Sequence, residues 1–200
     1  MGKGENTREA ILDHAMRLAS EVGLSGLSIG RLANDLAMSK SGLFAHFQSK
    51  ETLQDQVLVR ASQLFIEIVV RPALAAPRGE PRLRALFERW LDWTRTAGLP
   101  GGCLFVTAAV ELDDRPGPVR DRLVALQKEW LNVIGRVART GIAEGHFGGN
   151  LDPEQLAHDL YAVMLGYHHA ARLLRDPRAV SRARAGFESL LTAIRARKSA

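Results

Sequence analysis

The 200-residue chain predicts an all-α fold. Three observations carry this: apolar residues recur at helical spacing in most segments, no alternation of strand period is long enough to form a strand, and the breaks fall at residues that end or open helices. The expected architecture is an N-terminal three-helix unit, residues 1–50, followed by a C-terminal helical unit, residues 51–200. At 46% hydrophobic residues, the chain can bury a substantial core.

Asn6 with Glu9 has the pattern of a capping box opening a first helix that runs to about Val22. Ser28 can cap a second helix, whose apolar positions Ile29, Leu32, Ala33 and Leu36 follow the helical period. Ala37 and Met38 make a turn, and Ser39 can cap a third helix from about Lys40 to Phe47, with Leu43 and Phe47 pointing inward. Two short helices joined by a tight turn over residues 28–47 read as a helix-turn-helix. Facing outward are Lys40, Ser41, Gly42, Ala45 and His46, which are small, polar or cationic, as a helix entering a major groove requires. Glycine inside a helix costs roughly 1 kcal/mol against alanine. Close approach to DNA would justify Gly42, and so would tight packing on the preceding helix. Ser49 caps the next helix and places Lys50 in its first turn, where the helix dipole disfavours a cation unless an anion is near. A backbone phosphate would be that anion.

The helix after Ser49 carries a stripe of Leu53, Val57, Leu58, Ala61, Leu64, Phe65 and Ile68 and is expected to link the two units. Arg71 to Pro81, with Pro72, Pro77, Gly79 and Pro81, reads as a loop. A helix from about Arg82 to Thr96 follows, broken by Gly98 to Gly102, and then a short apolar helix from about Cys103 to Leu112. After a turn over Asp113 to Pro118, a long helix opens with Pro118 at its first position and ends at Gly141 to Gly145. Asp152-Pro153 and Asp176-Pro177 each read as N-cap and first-position proline, opening the last two helices.

The run from Thr7 to Leu53 resembles the amino-terminal domain of the tetracycline-repressor (TetR) family of transcription regulators. The matching positions are Ile11, Ala15, Leu18, Gly23, Ser28, Ile29, Ala33, Ser39, Gly42, Leu43, His46, Phe47, Lys50, Glu51 and Leu53. The resemblance covers the first quarter of the chain and implies a dimer that binds operator DNA. One position departs from it: the family usually has tyrosine where Phe44 stands, and that hydroxyl commonly contacts a phosphate. Phe44 cannot make this bond, a loss on the order of 1 kcal/mol. Within the motif, Lys40, Ser41, Ala45 and His46 are expected at base edges, with the Gly42 backbone close by, and Ser28, Ser39 and Lys50 at phosphates.

The net charge of +5 does not by itself indicate DNA binding, because residues 1–60 hold seven basic and seven acidic residues. The surplus lies between Arg172 and Lys198, with eight basic and two acidic residues, which a solvated helix face explains. One cysteine, Cys103, excludes an intrachain disulfide, and the opening MGKGENTREA lacks the apolar core of a signal peptide. A cytoplasmic protein is expected. The nearly charge-free run from Leu160 to Ala171 is too short to span a bilayer, so no membrane partner is expected. Cys103 sits after two glycines at a helix start, where a dipole favours thiolate, but an ordinary core cysteine is the better account. His168 and His169 diverge by about 100° on a helix, and no metal site or cofactor is expected.

Reading two half-sites roughly 34–36 Å apart takes two copies of such a motif. Ala162, Gly166 and Ala170 recur every four residues on the penultimate helix, and Phe187, Leu190, Leu191 and Ile194 stripe the last. Packed against symmetry mates, these would form a four-helix dimer interface, which the family resemblance also implies. Intrachain packing of the same stripes is the alternative. Phe87, Trp90, Trp93, Phe105, Trp130, Tyr161, Met164, Tyr167 and His168 could line an effector pocket, or be ordinary core. No GxSxG, P-loop, HExxH or GxGxxG pattern supports an enzyme. The expectation is a homodimeric, sequence-specific DNA-binding regulator acting on a palindromic operator, a repressor released when a small apolar effector tilts the linking helix. An architectural DNA-binding protein without an effector, and a helical small-molecule enzyme, are the alternatives.

Overall fold

The computed structural model describes residues 3–196, with side chains from residue 7. Its α-helices are α1 (Lys3–Val22), α2 (Ile29–Asp35), α3 (Lys40–Phe47), α4 (Lys50–Phe65), α5 (Arg71–Leu74), α6 (Glu80–Thr96), α7 (Leu104–Leu112), α8 (Pro118–Ala143), α9 (Pro153–Arg172) and α10 (Ala179–Ile194). A π-helical turn, Ile66–Val70, joins α4 to α5. Among the described residues the only strand-like pairing is an isolated antiparallel bridge between Phe147 and Arg195. Residues through Phe65 pack with Thr94–Leu126 as one compact unit, and Ile66–Trp93 with the chain from Gln127 onward as a second.

In the first unit α1 packs on α4 and α7, and α2 on α3. Ile11, Leu12, Ala15, Met16 and Ala19 of α1 are buried, as are Leu53, Val57, Leu58 and Ala61 of α4. Local capping sets the helix starts. Ser28 and Ser39 have extended backbones and accept the Arg31 and Gly42 amides at 3.1 and 3.0 Å. Ser49 accepts the Thr52 amide at 3.0 Å. Between α2 and α3 the Met38 amide reaches the Ala33 carbonyl at 2.9 Å and the Ala37 amide the Asn34 carbonyl at 3.2 Å, a Schellman stop with Ala37 at φ 51. The loop feeding α2 is held from α7 and α4. Glu111 accepts the Leu24 and Ser25 amides at 3.2 and 2.8 Å, and Gln54 donates to the Leu24 carbonyl at 2.7 Å. Gly23 lies there at φ 78, and a Cβ on it would stand 2.1 Å from the Glu111 carboxylate.

In the second unit α9 and α10 pack as an antiparallel pair. The middle of α10 meets the middle of α9, where a Cβ on Gly186 would lie 3.6 Å from the Val163 methyls. Leu156, Leu160 and Met164 of α9 and Ala183, Phe187 and Leu191 of α10 are buried. An ion network ties the start of α6 to the end of α10. Arg195 donates to Glu80 at 2.7 and 2.9 Å, Arg84 donates to Glu80 at 2.9 Å, and Arg84 also pairs with Glu188. Hydrogen bonding from Arg195 and then Arg84 outweighs desolvation and holds the Glu80 carboxyl down at about 2, from 4.5. Glu80 therefore stabilises the fold fully above pH 4.5, and this contribution disappears as pH falls through its folded-state value. Solvent screening limits it to about 1 kcal/mol. In urea melts at pH 6, 4 and 2.5, Glu80→Gln is expected to be less stable than the parent at pH 6 and to draw level toward pH 2.5. A gap that stays constant with pH would remove Glu80 from the acid response.

Several boundaries differ from the sequence reading. Helix α1 extends to Lys3, upstream of the expected capping box, and the side chain of Asn6 lies outside the described residues. Helix continues into the expected Arg71–Pro81 loop. Pro72 occupies the first turn of α5 directly after the π turn, where its missing amide costs nothing. Leu64 and Ile68 are only half-buried. Asp152 caps α9 as expected, accepting the Glu154 and Gln155 amides at 2.9 and 3.3 Å. Asp176 does not cap α10. It accepts the Arg178 amide at 2.9 Å and the Arg182 guanidinium at 2.6 Å, an Asx-type turn that delays α10 to Ala179.

Candidate nucleic-acid interface

Helix α3 is anchored by its inner face and open on its outer one. Leu43 and Phe47 are fully buried, while Lys40, Ser41, Phe44 and Ala45 are exposed and Gly42 and His46 half-buried. The His46 ring lies 6.1 Å from Phe47. The Lys40 stem crosses Gly30 of α2, where an added Cβ would stand 3.4 Å from Lys40 Cε. A side chain at position 30 would push the Lys40 amine off this path. At Gly42 an added Cβ would meet only the Ser39 hydroxyl at 3.0 Å, so α2 does not press on it.

The hydroxyls expected at phosphates are already at work as caps. Ser28 and Ser39 accept backbone amides, and Ser39 shares a further contact with the Ser41 hydroxyl at 3.2 Å. Because a hydroxyl accepts and donates at once, capping leaves the Ser28 O–H available to an external oxygen. Lys50 is exposed, and its ammonium donates to the Ser25 carbonyl at 2.5 Å. The cation at the start of α4 is thus met by a backbone oxygen, with Glu51 beside it in the first turn. Arg115 donates to the Ser25 hydroxyl at 3.1 Å, adding a second cation beside this loop. Neither Arg115 nor the apolar surface of Phe44, 53% exposed, was legible as part of this face. The spacing of Phe44 from Lys40 and Ser41 was the available signal, since three and four residues apart share a helix face.

Of the residues expected around an effector, eight belong to the second unit and Phe105 to the first. Phe105 packs edge-on against Phe65 at 5.9 Å within the first unit. Trp90 meets Tyr167 edge-on at 6.1 Å, Tyr167 donates to the Leu91 carbonyl at 3.3 Å, and Tyr161 donates to Gln127 at 2.9 Å. Phe87, Trp90, Trp93, Trp130 and Met164 are buried. Burial, and then Asp92, push the Tyr167 hydroxyl up. Burial, then Arg172 and His169, push the His168 imidazole down. Both groups therefore stay neutral near pH 7. A separate concavity of about 770 Å³ opens between the start of α9 and the end of α10, bounded by Leu151, Asp152, Gln155, Asp159, Leu190 and Ile194 among others, and none of the nine residues borders it.

The residues expected at a dimer interface divide. Ala162 and Gly166 are exposed, with open space over Gly166, and Ala170, Leu190 and Ile194 are half-buried. Phe187 and Leu191 are core of their own chain. Phe187 stacks on Phe87 at 4.2 Å and is 3% exposed, and Leu191 is fully buried. A helical stripe reads alike whether it faces another helix of the same chain or of a second copy, and here α6 takes Phe187.

Comparison with known proteins accounts for both parts of the chain. Residues 11–57 match the family model of bacterial regulatory proteins of the tetR family, and residues 79–187 match the model of the tetracyclin repressor-like C-terminal domain. The chain is 26% identical over 180 residues to the class D tetracycline repressor protein of Escherichia coli, covering 86% of this chain and 72% of that protein. A TetR transcriptional regulator from Chloroflexus aurantiacus superposes with a TM-score of 0.85 at 28% identity, over 98% of this chain and all of that one (100%). The fold is shared with a TetR-family regulator from Cytophaga hutchinsonii, at a TM-score of 0.87, 17% identity and 99% coverage of both chains. It is shared too with AibR, solved with isovaleryl coenzyme A and operator DNA, at 0.74 and 22%, over 92% of this chain and 97% of that one. With family models spanning both the helix-turn-helix and more than half of the remaining chain, the protein belongs to the TetR family of DNA-binding transcriptional regulators and is not an enzyme.

Proposed function

We propose that two copies of this chain repress transcription by binding a palindromic operator in the cytoplasm, and that a small, uncharged, largely apolar effector releases them. The observation that carries the DNA-binding half is α3. Its buried Leu43 and Phe47 fix the helix, and its outer face offers Lys40, Ser41, Ala45 and His46 to base edges. Gly42 allows the backbone to come close, Ser28, Ser39 and Lys50 serve phosphates, and Phe44 adds apolar contact of the kind a thymine methyl accepts. The effector reading rests on the second unit, where Trp90 and Tyr167 form an edge-on pair and Tyr161 and the neutral His168 add polar groups that are themselves uncharged. Of the other candidates there, Phe87 is committed to Phe187, so Trp93, Trp130 and Met164 supply the apolar remainder. An effector lowers operator affinity by favouring a state whose two α3 helices no longer match the half-sites. No helix among the described residues is long and apolar enough to cross a membrane.

Selection of DNA from a random pool, followed by titration of the winners at several salt concentrations, tests this reading. An inverted repeat bound with sharp preference is the expected result, and recovery of no consensus would overturn sequence-specific binding by the free protein. In the same assay Lys50→Ala is expected to weaken all sequences nearly equally and to flatten the slope of log affinity against log salt by about one unit. An unchanged slope would show that Lys50 serves only the Ser25 carbonyl.

A further inference from the structure

Beside the reading helix, one residue gathers two cations. Ser25 lies in the loop before α2. Its carbonyl accepts the Lys50 ammonium at 2.5 Å, and its hydroxyl accepts the Arg115 guanidinium at 3.1 Å. Because both oxygens belong to one residue, the ammonium and the bonding guanidinium nitrogen stand within about 10 Å of each other. That is close to the Debye length of about 8 Å at physiological ionic strength, so salt leaves part of their repulsion unscreened. Lys50 and Arg115 are both exposed, and among the described residues neither forms an ion pair. Other arginines of the first unit are neutralised: Arg31, Arg60 and Arg122 pair with Asp35, Asp13 and Asp55.

The turn after α7 sets Arg115 in this position. Its amide reaches the Leu112 carbonyl at 3.1 Å, and Arg120 of α8 donates to the Asp113 carbonyl at 3.1 Å, closing the turn from the far side. A Cβ on Gly117 would lie 3.9 Å from the Glu51 carboxylate, so the turn also lies against the first turn of α4. The carboxylates of this corner have other roles. Glu111 accepts the Leu24 and Ser25 amides, Asp113 accepts the Asp114 amide at 2.9 Å, and Glu51 complements the dipole at the amide end of α4. Asp114 is exposed without such a role. On Arg115 the bond to Ser25 uses a single N–H, and the rest of the guanidinium fork is left for an oxyanion.

We propose that Arg115 is a DNA-backbone contact contributed from outside the helix-turn-helix, its guanidinium and the Lys50 ammonium together gripping phosphates that flank the half-site. The inference rests on the operator-binding reading above and adds a contact to it. Ser25 stands three positions before Ser28, whose hydroxyl is read above as serving a phosphate, so the pair of cations borders the same stretch of backbone. A phosphate between them turns a mutual repulsion into two attractions. The two groups are not equivalent, because a guanidinium offers two parallel donors to a phosphate and an ammonium acts as a point charge. Arg115 thus adds affinity and fixes orientation but reads no base, since a phosphate carries no sequence information.

The operator recovered from a random pool, titrated at several salt concentrations against Arg115→Gln, Arg115→Lys and Ser25→Ala, tests the contact. At about 0.15 M salt R115Q is expected to bind about fivefold more weakly, nearly equally on operator and unrelated DNA, with the slope of log affinity against log salt flattened by about one. R115K keeps the charge and should restore the slope. S25A removes the tether but keeps both cations, and should leave the slope unchanged. Operators carrying one neutral methylphosphonate at a time then locate the partner: at one position the parent loses affinity and R115Q does not. Arg115 is exposed, so the circular-dichroism spectrum and melting temperature of R115Q should match the parent's. An R115Q protein that binds as the parent does overturns the inference. So does one that weakens with an unchanged slope and no insensitive methylphosphonate, because Arg115 then only supports the Ser25 loop. A parent chain that binds no DNA at any salt removes the operator-binding reading and this contact with it, whereas a specific parent beside an R115Q of equal slope removes the contact alone.

Discussion

Replacing Gly101 by alanine is expected to destabilise the protein by about 3 kcal/mol or more. A Cβ there would stand 1.6 Å from the Ser20 carbonyl oxygen, 1.9 Å from its carbon and 2.4 Å from the Glu21 nitrogen. These are backbone atoms within α1, so no rotamer change relieves the clash. Ser20 itself is 4% exposed and pinned, donating to the Arg17 carbonyl at 2.7 Å and accepting the Gly101 amide at 3.1 Å. The variant must therefore separate the segment before α7 from α1 and give up that hydrogen bond. The melting temperature should fall on the order of 10 °C. Gly98→Ala is the control: nothing lies within 4 Å of its Cβ, and only its φ of 63 is unfavourable. That cost is about 1 kcal/mol. Thermal melts of the two variants side by side would refute the close packing at Gly101 if they moved equally.

Phe187→Ala should cost about 3–5 kcal/mol of folding stability. The ring is 3% exposed, stacked on Phe87 at 4.2 Å, with the Arg84 guanidinium 5.8 Å from its centroid. Truncation leaves a hole between α6 and α10 and removes a surface on which Arg84 rests. An interface residue would behave differently: its loss would weaken association and leave the monomer's unfolding free energy nearly unchanged. Urea unfolding read at several protein concentrations separates the two. A loss of stability that persists at the lowest concentration is expected, and one that appears only as a shift in dimer dissociation would return Phe187 to the interface.

The contrast between Phe187 and Ser39 shows which parts of the molecule a sequence discloses. Ser28, Ser39, Ser49 and Asp152 act on amides two or three residues away, so their helices start where the local pattern places them. The inward Leu43 and Phe47 follow from the same short-range periodicity, and with them the outward face of α3. The stop at Pro72 fails for a related reason. Proline ends a helix only when an amide is needed at that position, and the π turn at Ile66–Val70 places it in a first turn instead. Asp176 had two local options, cap or Asx turn, and Arg182 in the same segment favours the turn. Partners far along the chain leave no local trace. Glu111 reaches Leu24 across 87 positions, and Lys50 reaches Ser25 across 25. The packing of Phe105 on Phe65 is of the same kind.

The hold that Glu111 takes on the loop before Ser28 bears on how this regulator can be recombined with its relatives. A graft that carries only the first 50 residues onto another family member exchanges the reading helix but leaves behind the carboxylate that orders Leu24 and Ser25, the Gln54 amide, and the Arg60 that pairs with Asp13 at 2.7 Å. Two amides would then depend on whatever the host offers at the end of its own short apolar helix. A working chimera needs residues through Phe65 together with Thr94–Leu126, a transplant in two pieces, because the module that reads DNA is contiguous in space and interrupted in the gene.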